Sequence, residues 1–192
     1  MEEKRIIHLP KGIDQKGTIL KKSHANRGMN LENDLNITNN YYLENNIAVI
    51  HKKPTPIQIV TINNKIITKA YFKEPSTTDY NGLYKGYYLD YDAKETEDGS
   101  FPLSNIHNHQ LEHLKKIKNQ GGISFLIVRF NKYQETYLIM TENILQFKEE
   151  KKRRIPYEYF RKKAYKIEFK YNPRLDYLKI LDRIIKGELN EK

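Results

Sequence analysis

TTDYNGLYKGYYLDYDAKET (residues 77–96) sets Asp79, Asp90, Asp92 and then Lys94 among aromatic and aliphatic residues that read as strand. Tyr84, Lys85 and Gly86 offer a turn, so the stretch reads as two strands joined by a tight connection. Within YLDYDAK, alternation puts Asp90, Asp92 and Lys94 on one face and Leu89, Tyr91 and Ala93 on the other. Asp79 belongs to the preceding strand and reaches Asp92 across the ladder. Two carboxylates brought together repel, and one must protonate unless a cation sits between them. A hard divalent ion resolves the conflict, and Mg²⁺ characteristically takes one or two carboxylates together with water and a phosphate. Lys94 beside such an ion would orient an attacking water or stabilise charge building on the phosphate. A solvated strand face with cross-strand ion pairs accounts for the same spacing. Spacing alone leaves both readings open.

Composition narrows the field. The chain has 192 residues, 38% of them hydrophobic, with a mean hydropathy of −0.81. That is enough for one domain with a real core, alone or with an appendage. No run approaches the roughly 20 apolar residues of a membrane span. The N-terminal MEEKRIIHLPKG has no apolar signal core, and there is no cysteine. Both features fit a cytoplasmic protein. Thiolate metal sites are excluded, so any metal must rely on oxygen or imidazole ligands. A net charge of +10 and a pI near 9.4 favour polyanionic partners, nucleic acid ahead of an acidic membrane surface. A basic protein with no specific partner is the bland alternative. Fifteen Tyr add stacking and phosphate-donating capacity.

Around the opening stretch the periodicity changes several times. MNLENDLNITNNYYLEN (residues 29–45) is an amphipathic helix, with Asn26 or Asn30 as its cap. IAVIHK (residues 47–52) is a short buried strand. Beyond Pro54 and Pro56, two β-branched runs flank Asn63-Asn64 as a hairpin. Its outer face carries Gln58, Thr61, Lys65, Lys69 and Lys73, and a polar, basic hairpin with little to bury should project from the body. Residues 103–118 form a second amphipathic helix, GGISFLIVRF (residues 121–130) a central strand and ETYLIM (residues 135–140) its neighbour. Two more helices, over 142–152 and 175–188, enclose a strand at AYKIEFK (residues 164–170). The order of elements specifies an α/β layered domain with a mixed sheet.

Other residues with chemical potential are weighed against plainer roles. In HNHQLEH (residues 107–113), His109 and His113 stand four apart on a helix, a spacing that suits zinc. The Glu arrangement of the helical zinc motif is missing, so Gln110 is favoured as the functional member. KEEKKRR (residues 148–154) is a solvated helix end before it is a nucleic-acid patch. Gly121-Gly122 is a turn, not a phosphate loop. Arg27, Lys52 and Lys53 are candidate phosphate contacts. Lys65, Lys69 and Tyr80 complete the candidate DNA-binding set.

Asp79 followed by Asp92-Ala93-Lys94 has the form D-(x)n-(D/E)-x-K and resembles the signature of the restriction-endonuclease-like nucleases. Its surroundings are more specific. NRGMNLE (residues 26–32), AVIHKKPTPIQIV (48–60), AYFKEPSTTDYNGLYKG (70–86), AKET (93–96), FPL (101–103) with HNHQ (107–110), QGGISFLIVRF (120–130) and YNPRLDYL (171–178) resemble the RecU family. These are Holliday junction resolvases of low-GC Gram-positive bacteria and some of their phages. The likeness runs collinearly from about residue 24 to residue 184.

The resemblance implies a restriction-endonuclease-like mixed central sheet flanked by helices, with a protruding β-hairpin stalk that enters the junction. Residues 1–25 are then a flexible basic N-terminal arm and 26–192 a single nuclease domain, with the stalk insertion at about 53–75. It also implies a homodimer that nicks two strands of a four-way DNA junction symmetrically, using Mg²⁺ or Mn²⁺ and leaving 5′-phosphates. Contacts with recombinase and branch-migration proteins follow from the same likeness. Carried over residue by residue, the metal ligands are Thr77, Asp79, Asp92 and Gln110. Lys94 stabilises the transition state, and Glu32 is the acidic helix residue brought near the metal. The chain departs from the family once, with Asp92 where RecU sequences usually carry Glu. That shortening keeps open a junction-binding protein with weakened cleavage.

Overall fold

The computed structural model describes residues 30–72 and 77–188. The expected arm, Arg27 and Lys73 lie outside the described residues. Two units are distinct, the hairpin within residues 55–75 and the body formed by the rest of the described chain.

Helix α1 (Leu31–Glu44) starts at Asn30, whose side chain accepts a hydrogen bond from the Asn33 amide at 2.9 Å. This is the capping geometry that short polar side chains favour. Strand β1 (Val49–Lys52) follows, then the hairpin strands β2 (Ile57–Asn63) and β3 (Ile66–Phe72). Asn64 and Lys65 take positive φ at the hairpin turn, one residue beyond the expected Asn63-Asn64. Strands β4 (Tyr80–Tyr84) and β5 (Tyr87–Thr96) are joined through Lys85-Gly86, both at positive φ. Short strand β6 (Ser100–Pro102), a 3-10 turn (Leu103–Asn105) and helix α2 (Asn108–Asn119) lead to β7 (Ile123–Phe130) and β8 (Glu135–Met140). The chain continues through α3 (Thr141–Glu149), β9 (Arg154–Pro156), α4 (Tyr157–Lys163), β10 (Tyr165–Ile167) and α5 (Leu178–Ile185).

The main sheet has the order β1-β4-β5-β7-β8-β10. All its pairs are antiparallel except β5 with β7. A parallel pair needs a crossover, and the segment carrying α2 provides it. Odd and even positions of the central strands feed two cores. Leu89, Tyr91, Phe125, Ile127 and Leu138 pack with Leu31, Leu35, Leu178 and Leu181 on one side. Leu126, Val128, Phe130 and Ile139 pack with Leu111, Leu114, Ile144, Phe147 and Phe160 on the other. Sequence reading expected this mixed α/β architecture.

Some local expectations need correction. The helix expected over 103–118 breaks at Ile106-His107. Leu103, in the 3-10 turn, and Ile106, in extended backbone, are buried there outside any α-helix, and His107 caps α2. IAVIHK is an edge strand in which only Ala48 and Ile50 are buried. Helix α4 and the β6–β9 ribbon had no expectation. In the hairpin unit, among the described residues, β2 and β3 pair only with each other. Alongside the polar positions, Ile57, Ile59, Val60, Ile62, Ile66, Ile67 and Tyr71 are exposed.

Candidate functional site

Tyr80 of β4 faces Tyr91 of β5 in the antiparallel register. Extending the ladder by one residue sets Asp79 opposite Asp92, on the side of the sheet away from α1. The two carboxyls are close enough to act on each other's protonation, and the Ala93 amide donates to Asp79 Oδ2 at 3.0 Å. Lys94 Nζ lies 2.8 Å from Asp92 Oδ2, with the lysine side chain still 19% exposed. The expected pair and the expected amine are therefore together.

Electrostatics divides the pair. Burial, followed by the hydrogen bond and negative charge of Asp79, raises the Asp92 pKa far above the carboxylate range. Burial also works against the Asp79 charge, but the bonds to Asp92 and the Ala93 amide, with Lys94 and Lys52 nearby, outweigh it and lower the pKa. One proton between two acids is the outcome when like charges crowd a buried site. Among the described residues, neither Asp92 oxygen receives a hydrogen bond of ordinary geometry from any N–H or hydroxyl group, although both are buried. Buried polar atoms are ordinarily satisfied. A divalent cation fits this pair, because it replaces the shared proton and gives the Asp92 oxygens a partner.

Two residues before Asp92, Asp90 is fully buried and fully engaged. Lys53 Nζ approaches Asp90 Oδ2 at 2.8 Å, Tyr88 Oη and His113 Nε2 each at 3.1 Å, and Thr78 Oγ1 donates to Oδ1. Lys53 Nζ also donates to Thr78 Oγ1 at 2.5 Å and Thr77 Oγ1 at 3.2 Å. Its backbone amide donates to the Asp79 carbonyl at 2.7 Å. Lys53, expected as a phosphate contact, is turned inward on Asp90 because a buried carboxylate requires a counter-charge.

The remaining candidates fall in three groups. Tyr80, expected at DNA, is a core residue. It is fully buried, stacks on Tyr91 with centroids 4.9 Å apart, and donates to Asn36 Oδ1 at 2.9 Å. Alternation gives Asp79 and Tyr80 opposite faces, so one cannot accompany the other. Glu32 is on the first turn of α1 and pairs with Lys52, whose charge in turn acts on Asp79. Thr77 is exposed and engaged with Lys53. Gln110 is buried on α2, where its Oε1 accepts from the His107 amide at 3.1 Å. His113, one turn further along α2, touches Asp90. Because α2 carries the crossover and runs back against β5, the step from His113 to Gln110 parallels that from Asp90 to Asp92.

Lys65 and Lys69 are exposed on the hairpin, with Lys69 Nζ 5.4 Å from the Tyr71 ring centroid. His107 and His109 stack 5.5 Å apart, and among the described residues no three His, Asp or Glu side chains cluster as a metal site. Sequence reasoning missed the role of Asp90 as a hub. Its place on the Asp92 face was visible, but the Lys53 and His113 contacts arrive from 37 and 23 residues away.

Comparison with known proteins identifies the family. The family model described as "Recombination protein U" matches residues 26–183. The chain is 50% identical over 170 residues to "Holliday junction resolvase RecU" of Oceanobacillus iheyensis, covering 83% of this chain and 87% of that protein. It is 47% identical over 179 residues to the protein of the same name from Staphylococcus aureus strain JH9, covering 88% and 86%. A solved structure of Archaeoglobus fulgidus Hjc, "a Holliday junction resolvase from an archaeal hyperthermophile", is similar at a TM-score of 0.36 and 13% identity, over 48% of this chain and 72% of that one. With most of its length matched by the family model, the chain belongs to the RecU family.

Proposed function

We propose that the chain is a Mg²⁺-dependent, structure-specific DNA endonuclease that resolves four-way junctions. The observation that carries the reading is the pairing of Asp79 with a buried Asp92 whose oxygens, apart from the Lys94 ion pair, have no hydrogen-bond partner among the described residues. Asp79 and Asp92 would hold Mg²⁺ or Mn²⁺, with Thr77 and Gln110 as further ligands. When bound, the ion supplies Lewis-acid stabilisation of negative charge on the scissile phosphate.

The chain's own groups do the rest. Asp92 must lose the proton it shares with Asp79 before the pair can act as two anionic ligands. The Ala93 amide and Lys52 keep Asp79 ionised. Lys94, held against Asp92 at 2.8 Å and partly open to solvent, offers an ammonium to a water attacking in line or to the charge growing on the phosphate. The product would carry a 5′-phosphate.

The substrate follows from family membership and charge. A net charge of +10 favours the dense phosphates of branched DNA, and Lys65 and Lys69, exposed on the hairpin, would meet them. Replacing a lysine that neutralises one phosphate should reduce the salt slope of binding by about 1. Paired symmetric nicks need two active sites, which a homodimer supplies.

Labelled four-way junction, fork and linear duplex, each with and without Mg²⁺, test the proposal. Junction-selective, Mg²⁺-dependent nicks of like polarity support it. Junction binding with no product favours a binding protein with weakened cleavage, and equal cutting of linear duplex favours a general nuclease.

A further inference from the structure

The Asp79–Asp92 pair depends on a segment that the sheet itself does not hold. Residues 77–79 precede β4 and lie outside its ladder. Beside one backbone bond, from the Lys53 amide to the Asp79 carbonyl, side chains fix them, and nearly all of these converge on one carboxylate. Asp90 receives Thr78 Oγ1 on one oxygen and Lys53, Tyr88 and His113 on the other. Lys53 passes the hold on to Thr77 and Thr78 through its ammonium and to Asp79 through its backbone amide. His113 fixes α2, the helix that carries Gln110. Three segments remote in sequence, the end of β1, residues 77–79 and α2, are thus tied to a single anion two residues from Asp92.

We infer that Asp90 is a positioning residue for the metal pair: it touches neither phosphate nor ion, but orients Asp79 and α2 so that one cation can be shared. The inference rests on the reading of Asp79 and Asp92 as cation ligands.

The chemistry favours a carboxylate here over an apolar residue. A buried charge survives only when fully paired, and Asp90 has four partners. A carboxylate also accepts from a hydroxyl, an ammonium and an imidazole at once, which an amide oxygen does less strongly. Outer partners that orient metal ligands typically change metal affinity by about 10- to 100-fold when replaced. A residue that serves stability alone would leave the affinity of the folded protein unchanged.

The test is Mn²⁺ binding by titration calorimetry on Asp90→Asn, with Asp92→Asn in parallel and junction binding measured without metal. Asp90→Asn should weaken Mn²⁺ affinity about tenfold or more, raise the Mn²⁺ concentration for half-maximal cleavage by the same factor, and recover activity at saturating Mn²⁺. Metal-free junction binding should be unchanged. Thr78→Val removes the hydroxyl that ties Asp90 and Lys53 to this segment, with little change of volume, and covers the case in which Asp90→Asn does not fold. It should weaken Mn²⁺ binding in the same direction, by at least about threefold. If Asp92→Asn abolishes Mn²⁺ binding while folded Asp90→Asn or Thr78→Val binds as wild type, the positioning role is wrong and the metal pair stands. If Asp92→Asn itself binds Mn²⁺ normally, the underlying metal assignment fails.

Discussion

Asp79 and Asp92 face each other one step past the Tyr80–Tyr91 rung of the β4–β5 ladder, each acting on the other's charge while the Ala93 amide donates to Asp79 at 3.0 Å. The geometry that makes them repel is what suits them to a common cation. Removing either acid should abolish cleavage of a synthetic junction, by at least about a hundredfold, and leave junction binding measurable on a gel. Wild-type cutting by Asp79→Ala would end the assignment.

Lys94 is separable from the ligands. Its ammonium balances Asp92, so Lys94→Ala should leave Mn²⁺ affinity equal to or tighter than wild type. Cleavage at saturating metal should fall about a hundredfold or more. Single-turnover rates together with calorimetry distinguish this outcome from simple loss of metal.

Gly82 determines whether β1 can join the sheet. A Cβ on this residue would lie 2.1 Å from the Val49 carbonyl oxygen and 2.6 Å from Ile50 Cα, both backbone atoms that cannot yield. Gly82→Ala should therefore cost at least about 2 kcal/mol in urea unfolding. Lys52 and Lys53 sit at the end of the same strand, so cleavage should decline as well.

Tyr91 lies beneath the Asp79–Asp92 pair on the opposite face. It is fully buried between Tyr80 and Phe125, accepts from Asn39 Nδ2 at 3.0 Å and shares a hydrogen bond with Tyr177 at 3.1 Å. Tyr91→Phe keeps the stacking and leaves two buried polar partners short of a bond. A loss of about 1–3 kcal/mol is expected, with little change in Mn²⁺ affinity.

Glu135 gives the fold an acid limit. Burial opposes its charge, but hydrogen bonds from Lys166, Tyr137 and Tyr157 prevail and lower its pKa to about 2. A folded-state pKa below the unfolded value of about 4.3 stabilises the protein above that pH, and the contribution drains away as pH falls towards 2. Glu135→Gln should flatten the pH dependence of stability in this window and cost about 1–2 kcal/mol at neutral pH. Chemical denaturation at several pH values reads both effects.

The sequence by itself determined the face shared by Asp90, Asp92 and Lys94, the partnership of Asp79 with Asp92 across a countable turn, and the central place of β7. These follow from a two-residue period and a short connection, which are local properties of the chain. It did not determine that Lys53 turns inward, that Tyr80 belongs to the core, that β1 lies at an edge, or that the helix expected from residue 103 begins only at Asn108. Apolar spacing runs on through Leu103 and Ile106 whether or not the backbone is helical. Which lysine meets a buried acid depends on groups brought together from 23 and 37 residues away. Only the packed tertiary structure decides that, because a buried charge is tolerable only where several distant segments converge to compensate it.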